Sequence, residues 1–314
     1  MLIKFDTTIS PTDRGDEMTN NEFDIEQYRM EHQMDYIKAI DLLNISSNKD
    51  EVFHWIYQIT RWHIPDVLYK YFSFTDDENL NNLKLNTLSE KKIFLADSKD
   101  FNDPFDNKAF YYRNEDLSQF EELGPFDGQI GDEIMFSSRA ASFTKTGFNS
   151  MPMWAHYANN HRGFCVSYNL QDSGNIELAG STLPIQYTDQ RIDITNILVN
   201  YVDLVLKEKR KQISEGRKKI ILNDLTLVYI IVFLQNIKQT SWQYEQEFRC
   251  VAGRTSIGMP FMKAIPSAIF AGEKCSPFYI ERLCGIARDL NVPLYKLEFQ
   301  KINMLFQLEP IRIL

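Results

Sequence analysis

Between residues 21 and 59, apolar side chains recur at helical intervals: Phe23, Tyr28, Met34, Ile37, Ile40, Leu43, Val52, Trp55 and Ile56. Spacings of three and four residues gather such side chains on one helical face. The run breaks between Asn44 and Lys49, so the pattern predicts a helical hairpin packed on the main body. Past Pro65 the texture changes. Residues 67 to 71 are dense in strand formers, 80 to 88 repeat at helical spacing, and 92 to 96 are strand-like again.

A polar turn is expected at residues 97 to 103, then helix from 116 to 138, interrupted at Gly124-Pro125 and Gly128. Strands are predicted at 141–144, 163–168 and 183–187. Residues 193 to 238 read as helical, with a stripe through Ile194, Ile197, Leu198, Tyr201, Val202 and Val205 and a second apolar segment after Gly216. A charged strand at 242–251, a strand at 268–272, a helix at 276–290 and extended segments at 292–299 and 310–314 complete the chain. No repeat of fixed period is visible. Three parts follow: a loose leader over 1–20, an N-terminal helical segment over 21–62, and a main domain over 63–314 with a helical insertion at about 193–238.

The chain has 314 residues, 44% of them hydrophobic and 25% charged, enough for one large domain or a domain with an accessory segment. Its formal net charge of -9 argues against general electrostatic attraction to nucleic acid. The stretch from Lys207 to Lys219 reads either as a local basic patch or as a solvated helix face. Cys165, Cys250, Cys275 and Cys284 form no Cys-x-x-Cys pair, so neither a disulfide framework nor a zinc ribbon is expected, and a reducing cytoplasm fits. The start lacks the pattern of a secretory signal, and the longest apolar run, residues 225 to 234, is too short to span a bilayer.

Strand alternation would place Glu245, Glu247 and Arg249 on one face. Such a row reads either as a polar site at a cleft or as a solvated face. Residues 153 to 165 concentrate polar aromatics, and the two groups are expected to line one concavity. His156 sits between Trp154 and Tyr157, where it can help hold a planar ring or be a satisfied, partly buried histidine. His156, His161 and Cys165 would point in different directions, so no metal site is expected. Asn102-Asp103-Pro104-Phe105-Asp106 is turn chemistry, with the alternative that Asn102 and Asp103 project into the cleft. Tyr69 and Tyr71 should share one strand face opposite Lys70, facing a ligand or the core. Glycine-rich phosphate loops and a Gly-x-Ser-x-Gly elbow are absent.

Leu68-Tyr69-Lys70-Tyr71, Phe101 to Phe105, Trp154 to Ala158 with His161 to Cys165, Trp242 to Arg249, and Ile269 to Gly272 together resemble the bacterial domain of unknown function family 2971. Members often occur in settings that suggest antiviral defence or toxin systems. The layout also looks like a divergent ADP-ribosyltransferase. That resemblance implies an α+β fold: a mixed, mostly antiparallel central sheet, split as in ADP-ribosyltransferases, with inserted helices and the N-terminal helical segment. It implies NAD as cofactor, with Glu247 stabilising charge on the ribose and Glu245 orienting the acceptor or the ribose hydroxyls. Tyr69, Lys70, Tyr71, Asn102, Asp103, Trp154, His156 and Tyr157 would then form the pocket, and Arg162 or Arg249 would pair with pyrophosphate. The first strand lacks the usual His or Arg and the second the usual Tyr or Ser. A macromolecular acceptor, protein or nucleic acid, and an antitoxin or chaperone are the partners this reading implies, with no membrane. The competing readings are a metal-dependent nuclease using Asp103, Glu245 and Glu247, and a non-enzymatic sensing or interaction module in which the charged residues only pair with one another.

Overall fold

The computed structural model describes residues 24–46, 48–97, 100–101, 103–106, 108–126, 138–219, 221, 225–253, 260–302 and 304–314. The chain divides into two units, Met1–Gln33 and Met34–Leu314. In the first, the described element is the helix Ile25–Glu31, started by Asp24, whose carboxylate accepts from the backbone N–H of Glu26 and Gln27. This N-cap satisfies donors that the first helical turn cannot.

The second unit is α+β. Its strands are β1 Val67–Phe72, β2 Lys92–Phe94, β3 Ala96–Asp97, β4 Phe110–Tyr111, β5 Ser138–Thr144, β6 Phe164–Asn169, β7 Thr182–Pro184, β8 Gln186–Thr188, β9 Ile192–Asp193, β10 Ile237–Gln239, β11 Glu247–Gly253, β12 Phe261–Lys263, β13 Ala268–Ala271, β14 Leu294–Glu298 and β15 Glu309–Arg312. Among the described residues, nine of them form one sheet in the order β15-β14-β13-β6-β1-β5-β11-β7, with β3 on β5. Only β13 and β14 run parallel in that sheet. The other pairs are antiparallel, so the sheet is mixed but mostly antiparallel.

Both faces are covered. Along β1, Leu68 joins a core with Phe164, Val166, Phe248 and the helix Pro277–Leu290, whereas Tyr71 packs on the other face against Trp154 and Phe270. The period-two alternation of a strand produces this division. A third core joins the helices Tyr36–Ile45 and Lys49–His63 to the helices Thr195–Ser214 and Thr226–Leu234. Tyr36 stacks on Phe233 at 5.4 Å, and Phe53 on Tyr229 at 4.2 Å. Burial on several sides explains why Thr226–Leu234 is apolar nearly all round. Among the described residues no helix is long and apolar enough to cross a membrane.

Several elements differ from the pattern-based expectation. The strand expected over 92–96 breaks at Leu95: β2 pairs with β12 while β3 joins β5. The strand expected over 183–187 breaks at Ile185, whose N–H donates to the Glu247 carbonyl, before β8 turns to β10. The helix expected over 116–138 shrinks to Asn114–Leu117 and a 3-10 turn at Glu121–Phe126, and residues 127–137 lie outside the described residues.

β1 and β5 touch through one residue pair, Tyr69 with Thr144. Beyond it no further pairing joins them, although β1 continues on β6 to Phe72 and β5 continues on β11 to Ser138. The sheet therefore opens into a wedge at its centre. The start of β6 is set by a close approach, because a Cβ on Gly163 would lie 1.9 Å from the Phe72 carbonyl oxygen. Only glycine fits there.

Candidate active site

A cavity of about 530 Å³ occupies the wedge. Its walls include Lys70 to Phe72 of β1 and Ala140 to Phe143 of β5, the helix Glu78–Ser89 contributes Leu80, Leu83 and Lys84, and Met153 and Tyr157 come from the helix Met151–Tyr157. A ligand-sized, largely apolar hollow with a few polar groups is the usual form of a small-molecule site.

The polar groups gather at one end. Lys238 on β10 is buried and donates to Glu245 Oε2 at 2.7 Å and to Glu247 Oε2 at 2.9 Å. Arg249 donates from Nε to Glu247 Oε1 at 2.7 Å, and its two terminal nitrogens reach Asp106 Oδ1 at 2.7 Å and Oδ2 at 2.8 Å. Its remaining bonds go to the Gln235 carbonyl at 2.8 Å and Glu247 Oε2 at 3.3 Å. All five N–H groups of the guanidinium are thereby used. Tyr157 donates its hydroxyl to Glu245 Oε1 at 2.5 Å. Three carboxylates thus share two cations, an excess of one negative charge.

The local backbone explains the convergence. Residues Thr240–Glu245 form a 3-10 turn started by the Gln239 side chain, and Gln246 then adopts a left-handed conformation at φ 44°. β11 begins at Glu247. Glu245 is therefore not on the strand, contrary to the alternation argument. The turn returns it to the Lys238 ammonium all the same, and Thr144 Oγ1 fixes the Glu245 carbonyl at 2.6 Å.

The two glutamates differ electrostatically. For Glu247, burial opposes ionisation, but Arg249 and Lys238 outweigh it and lower its pKa to about 2. For Glu245, burial is the largest effect and raises the pKa against the pull of Lys238 and Tyr157. Lys238 itself stays protonated, since Glu247 and Glu245 together overcome its desolvation. Burial pushes Lys70 down to about 8, partly offset by Glu247.

Of the residues singled out in the sequence, Tyr69, Lys70, Tyr71, Tyr157, Glu245, Glu247 and Arg249 line the cavity. Trp154 does not. It is fully buried beneath the site, donates Nε1 to the Phe148 carbonyl at 2.6 Å, and stacks on His161 at 5.6 Å. His156 and Arg162 are exposed and do not line the cavity. His156 instead meets Tyr157 and Tyr244, with ring centroids 6.3 and 6.2 Å away. Arg162 ends a turn in which Asn159, Asn160 and His161 all have positive φ. Asp103 is buried outside the lining and caps its own turn, accepting from the Phe105 N–H at 2.9 Å. That turn delivers Asp106 to Arg249. Asn102 lies outside the described residues.

Lys238 and Asp106 are the partners that sequence reasoning missed. Asp106 stands 143 positions from Arg249, so no local spacing links them. Residues 153–250 match the family model described as protein of unknown function (DUF2971). That span carries Tyr157, Lys238, Glu245, Glu247 and Arg249 but neither Lys70 nor Asp106. No curated protein and no solved structure matches the chain.

Proposed function

We propose that this cavity is the catalytic cleft of an NAD-using, ADP-ribosyltransferase-like enzyme, an effector of bacterial defence or a toxin. It transfers ADP-ribose to a macromolecular acceptor or to water. The observation that carries the reading is Glu245, a carboxylate buried at the end of a ligand-sized cavity and held by Tyr157 and Lys238.

The NAD substrate supplies an N-glycosidic bond whose cleavage releases nicotinamide with the bonding electron pair and leaves positive charge on the ribose. A cluster with one surplus negative charge favours that charge more as it develops than before, which is how fixed electrostatics accelerates a reaction. Glu247, ionised and held through both oxygens, is suited to supply the fixed part. Glu245, less firmly ionised, is suited to orient the incoming nucleophile and accept its proton. Phe101, Phe143 and Tyr157 offer rings to a planar base, and the residues present fit such a ligand. Arg249 has no donor left for pyrophosphate, so its role is to hold Glu247 and Asp106. The exposed side chains of Leu80, Leu83 and Phe94 mark the mouth where an acceptor would approach.

A second reading, a non-enzymatic binding module, is favoured by the complete pairing of Arg249. The nuclease reading has less support: Glu245 and Glu247 already face Lys238, and Asp103 stands apart, so no carboxylate set is left for magnesium among the described residues.

Incubation with NAD, with and without bacterial lysate as acceptor source, tests the proposal by release of nicotinamide. Release that disappears in Glu245→Gln is expected. Release that survives both Glu245→Gln and Glu247→Gln overturns it, and intact NAD in every arm favours the binding module.

A further inference from the structure

The cations along the cavity divide into two kinds. Arg249 and Lys238 are buried against carboxylates, and Lys92 pairs with Glu90 at 2.9 Å. Lys70 and Lys84 meet only neutral oxygens among the described residues. Lys70 Nζ donates to the Ser142 carbonyl at 3.0 Å and lies 5.5 Å from the Phe143 ring centroid. Lys84 Nζ donates to the Ser73 carbonyl at 2.6 Å and to Ser73 Oγ at 3.1 Å. Both lysines are partly buried, and desolvation lowers both pKa values.

Among the described residues neither ammonium is hydrogen-bonded to a carboxylate, Glu247 and Asp77 acting on them only from farther off, and ammonium groups held out of water in this way leave donors for an anion to occupy. An ammonium has three donors. Lys70 uses one and Lys84 two, which leaves both able to take a ligand oxygen. The two are also neighbours in construction. Lys70 belongs to β1, and Lys84 is tied to Ser73, the residue that follows β1. Among the described residues the lining carries five cations and four carboxylates, a small positive surplus in a chain of net charge -9. The carboxylates of the Arg249 cluster hold the negative end, which leaves Lys70 and Lys84 as the positive one.

We infer that Lys70 and Lys84 form a phosphate-binding subsite, so that the ligand of this cavity is a phosphate-bearing nucleotide with its base toward the aromatic rings and its phosphates on the two lysines. This subsite rests on the reading of the cavity as a nucleotide cleft and assigns the anion-holding role that Arg249 and Arg162 do not fill. Lysine is a point-charge partner for phosphate and needs no planar match.

Calorimetric titration of the full chain with ADP, adenosine and inorganic pyrophosphate tests the assignment. ADP and pyrophosphate are expected to bind, with adenosine weaker by about tenfold or more, the range for losing a charge-assisted contact. Lys70→Met and Lys84→Met should each weaken ADP and pyrophosphate by about tenfold or more and leave adenosine unchanged. Lys70→Arg and Lys84→Arg keep the charge and should recover most of the affinity. Melting curves of the same variants separate binding from folding. If the lysines served only to hold the Ser142 and Ser73 carbonyls, the Met variants would melt earlier and the ligands would not be discriminated. ADP and adenosine binding alike, no uptake of ADP or pyrophosphate, or ADP affinity unchanged in both Met variants would overturn the subsite. NAD consumption measured on the same preparations keeps the two ideas apart. Consumption without phosphate discrimination removes the subsite alone, whereas phosphate-dependent binding without consumption supports the subsite and removes the NAD chemistry.

Discussion

Tyr157 and Lys238 hold opposite oxygens of Glu245, the hydroxyl at 2.5 Å from Oε1 and the ammonium at 2.7 Å from Oε2. The two donors come from different elements, so the carboxylate is fixed in both position and plane. Glu245→Gln keeps the shape and removes the charge. It should lower NAD turnover by about a hundredfold or more, the usual scale for an electrostatic catalytic group. Tyr157→Phe should cost less, about tenfold, because Lys238 still orients the remaining oxygen. Nicotinamide release under single-turnover conditions measures both.

The pH response of the two glutamates should run in opposite directions. Glu247 titrates in the fold at about 2, below the ordinary 4.5, so its stabilisation is complete above 4.5 and is lost as pH falls toward 2. Glu245 titrates above its ordinary value, so the fold binds its proton more readily than the unfolded chain does, and stability falls as pH rises from 4.5 through the raised pKa. Glu245→Gln should therefore melt no lower than the parent at neutral pH, while Glu247→Gln loses stability there. Melting temperature against pH decides this.

Arg249→Met should cost about 3–5 kcal/mol, because it leaves Asp106 and Glu247 as uncompensated buried charges. Replacing Asp106, Glu247 and Arg249 together by apolar residues of similar size should cost less than Arg249→Met alone. Urea titration of the two variants tests the order.

Lys70→Met should raise stability at pH 7 even as it removes phosphate binding. In the fold this lysine titrates at about 8, below the ordinary 10.5, so the parent gains stability as pH rises from 8 to 10.5 and the variant does not. The gap between their melting temperatures should narrow over that window, and a constant gap would assign the effect to packing.

Gly163→Ala is expected to unfold the protein or lower its melting temperature sharply, since the new Cβ meets the Phe72 carbonyl at 1.9 Å. His156→Ala and Arg162→Ala, both at exposed positions, should leave melting and NAD consumption near the parent values. Loss of turnover in either would place an acceptor contact there.

The main strands and the helices between residues 25 and 63 and between 195 and 234 were legible from their apolar periods, whereas the strands expected over 92–96 and 183–187 each break at one residue. Around Glu245, strand alternation points to the right neighbours by the wrong geometry. Gln246 takes a left-handed conformation that a glutamine does not advertise, and the turn it makes returns Glu245 to the side where a strand would have placed it. Asp106 looked like turn chemistry, and it does belong to that turn. Its pairing with Arg249 depends on two segments meeting only in the folded chain. Trp154 and His161 stood out as polar aromatics, yet their partners are a backbone carbonyl and each other, which composition alone does not distinguish from ligand contacts.

The single Tyr69–Thr144 rung gives this protein a strand edge in the middle of its sheet. Exposed edges invite pairing with other chains, and proteins ordinarily blunt them with charge or cover. Here β3 already covers β5 at Arg139 and Ala140, and the gap left between β1 and β5 opens on the cavity. Its unspent amide and carbonyl groups become a recognition surface for something small, as when Lys70 takes the Ser142 carbonyl. A molecule that completes the missing rungs would stitch the two halves of the sheet together, and hydrogen exchange at Lys70 to Phe72 would then slow on binding although no side chain there had moved.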